Sequence, residues 1–193
     1  MSVARHIPNL LSSLRMAAAP LLIGLAETGH RHGFVILMIA AFASDALDGI
    51  IARRFGFVSR IGSLLDSIAD VLLFSAIAFG IMHFDPAVVA SHLALFLCIL
   101  AAWLGVGILG FCRYGRLASF HTILTRASAV SLGVFAVTLI LFGLVPWLLW
   151  LCAGLVVISQ AEELVLLGLV RRWTPDIPGL FWCGNKLKAD DPA

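Results

Sequence analysis

Asp45-Ala46-Leu47-Asp48-Gly49-Ile50-Ile51-Ala52-Arg53 and, eight residues further on, Gly62-Ser63-Leu64-Leu65-Asp66-Ser67-Ile68-Ala69-Asp70 are the stretches on which the reading of this chain turns. They hold four of its 11 acidic residues, set between two long apolar runs. Asp45 and Asp48 are spaced i, i+3, and Asp66 and Asp70 are spaced i, i+4. On helices each pair shares one face, within reach of a common ligand. Gly49, Ala52 and Gly62 keep that face small, leaving room for a ligand or for close backbone approach. Ionised carboxylates in apolar surroundings are costly unless a cation compensates them. Four of them converging, with Arg53 alongside, ask for bound divalent metal, and two facing helices can build such a site.

The apolar surroundings are general. Of 193 residues, 61% are hydrophobic and 12% charged, and the mean hydropathy is +1.05. A soluble domain of this size cannot hide so much apolar side chain, so the expectation is an all-α integral membrane protein. Six segments reach the roughly 20 apolar residues that a membrane helix needs: 8–28, 33–53, 61–82, 88–111, 126–145 and 147–170. They form one membrane domain, 1–172, followed by a short cytoplasmic or interfacial tail, 173–193. The first run faintly imitates a signal peptide, but Arg15 interrupts it, and it is expected to be retained. Arg5, Arg53, Arg54, Arg60, Arg113, Arg116, Arg171, Arg172, Lys186 and Lys188 fall on one side, and Arg31 on the other. The positive-inside rule then puts both termini and the acidic motif at the cytoplasmic face. The net charge of +2 gives no reason to expect nucleic-acid binding. Cys98, Cys112, Cys152 and Cys183 have neither metal-ligand nor disulfide-framework spacing.

The pattern Asp45-x2-Asp48-Gly49-x2-Ala52-Arg53-x8-Gly62-x3-Asp66-x3-Asp70 resembles the signature of the CDP-alcohol phosphotransferase family at every fixed position. The resemblance implies an enzyme that transfers a phosphatidyl group from a CDP-linked lipid, such as CDP-diacylglycerol, to an alcohol and releases CMP. It implies Asp45, Asp48 and Asp66 as metal ligands and Asp70 as general base, able to touch a metal too. Asp70 suits that part physically, because it lies about 10 residues into its helix, hence about 15 Å along it, away from bulk water. Gly49, Ala52 and Gly62 would form the surface for the nucleotide, with Arg53 on phosphate. Hard oxygen donors fit Mg²⁺ or Mn²⁺, expected as two ions. The family also implies a homodimer and, for this chain, a bacterial inner membrane.

Other residues extend the candidate site. Arg15 sits two turns into the first apolar run; it can snorkel to headgroups, or partner a phosphate of the CDP-lipid or the acidic cluster. Family members show a similar Pro-Asn…Arg segment, here Pro8-Asn9 and Arg15. Arg113, Arg116, His121 and Arg126 are either a positive-inside loop or a basic pocket for a phosphate on the acceptor. Glycerol 3-phosphate is the first acceptor to consider, with inositol phosphate, serine and choline open. Gln160, Glu162 and Glu163 lie inside the last apolar run, as site residues or as packing residues.

Two other classes deserve weight. An intramembrane prenyltransferase also holds a diphosphate through aspartates and Mg²⁺, but usually with two separate acidic motifs, and Glu162-Glu163 makes a poor second one. A cation transporter also buries acids, but gives no reason for the Gly-x2-Ala-Arg and Gly-x3-Asp spacing.

Overall fold

The computed structural model describes residues 7–55, 60–114, 122–170 and 179–180, with side chains described except at 7–11, 45–55, 60–64, 66 and 67. Among the described residues every regular element is a helix: α1 (Ile7–Glu27), α2 (Arg31–Phe55), α3 (Arg60–Phe84), α4 (Pro86–Ser91), α5 (Leu93–Tyr114), α6 (Ile123–Phe142) and α7 (Pro146–Leu169). By length and apolarity α5, α6 and α7 qualify as membrane-crossing, while α2 and α3 contribute the shorter apolar stretches Arg31–Ser44 and Ile68–Phe84. The all-α expectation holds, and this is an integral membrane protein.

Local chemistry sets the helix ends. Thr28-Gly29-His30 closes α1: Gly29 takes φ +74°, and the His30 N–H reaches back to the Leu25 carbonyl at 2.9 Å. That is a Schellman-type ending, which needs a residue at ease with positive φ. Gly143, at φ +86°, ends α6 in the same left-handed region, and Pro146 opens α7 where a missing N–H costs nothing. The segment read as one span, 88–111, is divided: α4 begins at Pro86, and α5 starts anew after His92. α6 starts three residues earlier than hydropathy suggests, because Thr122 caps it: its hydroxyl accepts from the Thr125 N–H at 3.1 Å.

Two compact units can be distinguished, 1–89 with 136–143 and 90–135 with 144–193. In the first, α1 packs along both α2 and α3, which touch each other far less among the described residues. α1 is thus the shared partner of both helices among the described residues. Its buried face carries Ala18, Leu22 and Ala26 at four-residue spacing, meeting Phe34 and Met38 of α2 and Leu73 and Ile77 of α3. Ala136 and Ile140 of α6 complete this core.

Phe34 is fully buried and meets Phe84 edge-on, with centroids 5.4 Å apart and planes at 85°. Its ring lies directly on Gly80, so that a Cβ there would overlap ring atoms. Arg31, at the start of α2, binds the chain internally. Its guanidinium donates to the Phe84 carbonyl at 2.6 Å and the Ile140 carbonyl at 3.0 Å. It also lies 3.5 Å from Asp85 and stacks 5.2 Å above the Phe84 ring. One cation thus satisfies backbone oxygens in the last turns of α3 and α6, where the helix dipoles are negative.

In the second unit α5 and α7 run parallel, meeting through Val106, Leu166, Leu167 and Val170. The Tyr114 hydroxyl donates to the Val170 carbonyl at 2.6 Å. Cys152 is buried and donates to the Ser131 carbonyl at 3.1 Å, behaving as a small core residue.

Gly80→Ala should lower Tm, with a cost of about 1–3 kcal/mol for forcing a methyl against a ring that cannot move away. Gly24→Ala, where nothing lies within 4 Å of the added atom, should leave Tm unchanged or raise it, since alanine favours helix by up to about 1 kcal/mol. Arg31→Gln should cost on the order of 1–3 kcal/mol through carbonyls left short of a donor, read as a fall in thermal midpoint in detergent.

Candidate active site

α2 carries Asp45 and Asp48, and α3 carries Asp66 and Asp70. Helical backbone runs unbroken through all four, so the i, i+3 and i, i+4 spacings place each pair on one face. The side chains of Asp45, Asp48, Asp66, Gly49, Ala52, Arg53 and Gly62 lie outside the described residues. Asp70 is described. It sits beyond the first two turns of α3, next to the fully buried Ala69.

Arg15 of α1 is 1% exposed, among the most deeply buried large side chains described. Its Nη1 donates to Asp70 Oδ1 at 2.6 Å, an ion pair in which the arginine side chain is sealed and the aspartate is 36% exposed. Of the sequence readings for Arg15, snorkelling to headgroups is excluded by this burial, and a partnership with the acidic cluster is realised. A guanidinium at that depth is stable only with compensation. Asp70 supplies it while still presenting surface, which a carboxylate needs to act on a ligand.

The residues considered for an acceptor phosphate divide. Arg116 and His121 lie outside the described residues. Arg126 is exposed in the first turn of α6, its N–H bonded to the Thr122 carbonyl at 3.1 Å. Arg113, at the end of α5, leans toward α7: its Nη2 lies 3.4 Å from the Gly168 carbonyl, and its guanidinium stacks 5.9 Å from the Tyr114 ring.

The threonines between these basic residues form a network. Thr122 donates to Glu162 Oε2 at 2.7 Å and lies 3.0 Å from the Thr125 hydroxyl. Thr125 in turn lies 3.4 Å from Glu163 Oε1. Glu162 Oε1 accepts the Leu180 N–H at 3.1 Å, and a Cβ on Gly179 would come 3.0 Å from the same oxygen. Glu162 thus ties α7, the start of α6 and part of the tail together. Of the two roles the sequence allows for it, packing is the one these contacts serve. Ser159 and Ser128 join α7 to α6 below, at 3.2 Å. Thr122 ahead of an apolar run is an N-cap signal that flags the start of α6 in advance.

Carboxylates at these spacings on adjacent helices are a hard, anionic oxygen donor set suited to Mg²⁺ or Mn²⁺. The buried cation beside Asp70 puts an ion pair at that end of the motif, within an otherwise apolar unit.

Known proteins are similar to part of this chain in sequence. A CMP-forming cardiolipin synthase of Streptomyces coelicolor is 43% identical over 72 residues, 34% of this chain and 34% of its own. A chloroplastic CDP-diacylglycerol–glycerol-3-phosphate 3-phosphatidyltransferase of Oryza sativa is 38% identical over 82 residues, 42% of this chain and 24% of its own. The enzyme of that name from Rickettsia bellii is 36% identical over 76 residues, 38% of this chain and 42% of its own. The chain thus spans less than half the length of each of these relatives. No solved structure matches. The family model for CDP-alcohol phosphatidyltransferases matches residues 5–159, which contain α1, the whole acidic motif and most of α7, and the chain belongs to that family.

Proposed function

We propose that this protein transfers the phosphatidyl group of CDP-diacylglycerol to an alcohol and releases CMP. The observation that carries the reading is the unbroken helical placement of Asp45, Asp48, Asp66 and Asp70 within the stretch matched by the family model. Asp45, Asp48 and Asp66 hold divalent metal, with Asp70 as a further ligand. Bound Mg²⁺ or Mn²⁺, two ions in this reading, would neutralise the diphosphate and the charge that builds up on departing CMP. The acceptor oxygen attacks the phosphatidyl phosphorus, the bond to CMP breaks, and the acceptor proton passes to Asp70. Arg15 is a positioning residue: its 2.6 Å contact fixes one carboxylate oxygen of Asp70 and so aims the other. Through its contact with Asp70, Arg15 is also read as meeting a phosphate of the donor. Arg53 binds donor phosphate, and Gly49, Ala52 and Gly62 leave space for the nucleotide.

Glycerol 3-phosphate is the acceptor we favour, in line with the names of the Oryza and Rickettsia relatives. Of the four basic residues that the sequence offers for its phosphate, Arg113, Arg116, His121 and Arg126, the last three are kept in this reading, because Arg113 leans toward the Gly168 carbonyl of α7. The name of the Streptomyces relative supports a second reading, formation of cardiolipin, for which phosphatidylglycerol is the acceptor. We further read α1, α2, α3, α5, α6 and α7 as six spans. Even the shortest, α6, has 20 residues, about what a bilayer requires. Both termini and the acidic motif would face the cytoplasm of a bacterial inner membrane, following the arginine distribution, with the chain acting as a homodimer.

The test is CMP release by purified protein given CDP-diacylglycerol, Mg²⁺ or Mn²⁺ and either acceptor. Release stimulated by one acceptor is expected, and Asp70→Asn should lower turnover by at least about 10²-fold, the usual contribution of a general base. Near wild-type turnover in that variant would remove Asp70 from the chemistry. Asp45→Asn and Asp66→Asn should each shift the metal titration to higher concentration; unchanged titrations would remove them as ligands. Thermal stabilisation by a prenyl diphosphate, with no CMP release from any acceptor, would overturn the reaction class.

A further inference from the structure

Near the C-terminal ends of α5 and α7 is a groove of about 400 Å³, lined by Leu109, Cys112, Arg113, Leu164, Leu167 and Gly168. The volume lies within the roughly 300–1,000 Å³ of small-ligand sites. Its walls are apolar side chains from two helices apolar enough to cross a membrane. Gly168 lines it without a side chain, and a Cβ there would meet nothing within 4 Å, so the position has room for a larger residue. Among the described residues Arg113 supplies its charge; the side chain is exposed, with a long contact to the Gly168 carbonyl and the Tyr114 ring beside it.

We infer that this groove binds an anionic phospholipid of the surrounding bilayer, with acyl chain along Leu109, Leu164 and Leu167 and headgroup phosphate on Arg113. The chemistry is complementary at both ends. A guanidinium forms paired, charge-assisted bonds to phosphate, and a groove open to lipid accepts a chain without displacing protein. The helix ends themselves disfavour an anion, since their carbonyls carry partial negative charge. Among the described residues that line the groove, Arg113 is therefore the one that favours a charged headgroup. The inference stands apart from the transferase reading, because it requires neither donor nor turnover.

Cys112 provides a readout. It is an exposed thiol in the groove wall, and an occupant covers it. With Cys98 and Cys183 replaced by serine, the maleimide alkylation rate of Cys112 is measured in detergent with added phosphatidic acid, phosphatidylcholine or glycerol 3-phosphate. Phosphatidic acid should slow alkylation on the order of tenfold more than phosphatidylcholine, the ratio that about 1.4 kcal/mol of charge-assisted contact gives. Arg113→Gln should abolish that difference. Gly168→Leu, which fills the groove from its open side, should remove dependence on either lipid. Equal protection by the two lipids, or a preference surviving Arg113→Gln, would overturn the site. Protection by glycerol 3-phosphate alone would overturn it in favour of a soluble acceptor on Arg113. Cys98, with Cys112 and Cys183 replaced instead, should react at a rate indifferent to lipid; equal slowing there would reduce the effect to the micelle and overturn the site.

Discussion

A charge buried in apolar surroundings has to be answered by another, and Arg15 facing Asp70 is where this chain meets that constraint. The arginine cannot reach headgroups from its depth, and the aspartate cannot be stripped of its partner without leaving a sealed cation. The pair therefore fixes the rotation of α1 against α3. With α1 so fixed, its alanine and leucine face turns to α2 and α3, and the first core forms around it. The acidic motif inherits its geometry from that packing, since Asp70 belongs to both the ion pair and the motif. The ion pair and one end of the motif are in this respect a single interaction.

At the other end of the same unit Arg31 applies the same physics to backbone groups. Helices that finish inside a compact unit leave carbonyls without donors, and a single guanidinium with its several N–H groups serves two of them. In the second unit carboxylates do the converse work: Glu162 accepts from a threonine hydroxyl and from a backbone N–H of the tail. Polar side chains in this protein thus serve where helices begin, end or meet, and apolar ones fill the lengths between.

Much of this was legible in the sequence. Five of the six long apolar segments match α1, α2, α3, α6 and α7 to within a few residues, while the fourth, 88–111, is divided between α4 and α5. The aspartate spacings, read as helical, fall on helices. Arg15 was legible as a group needing compensation, though not which of its partners would provide it. What escaped was decided by single residues that a hydropathy average blurs. The break at His92, the cap at Thr122 and the seat of Phe34 on Gly80 each depend on one side chain meeting one distant group. Arg31 looked like a topological marker, because its carbonyl partners lie 53 and 109 positions away along the chain. Equally, the lean of Arg113 toward Gly168 depends on α5 and α7 running parallel, which no local pattern announces.

α6 is one continuous helix, yet Ala136 and Ile140 complete the core built by α1, α2 and α3, while residues up to Phe135 belong with α5 and α7. This has a consequence for how the protein is made. A ribosome delivers the first three helices long before Ala136, so during synthesis the N-terminal bundle waits with one side of its core uncovered and with Arg31 lacking the Ile140 carbonyl. Only when α6 arrives does that bundle close. The nascent chain therefore passes through an interval in which its first half is inserted but unfinished, and whatever lipid or insertion machinery is adjacent must cover the gap.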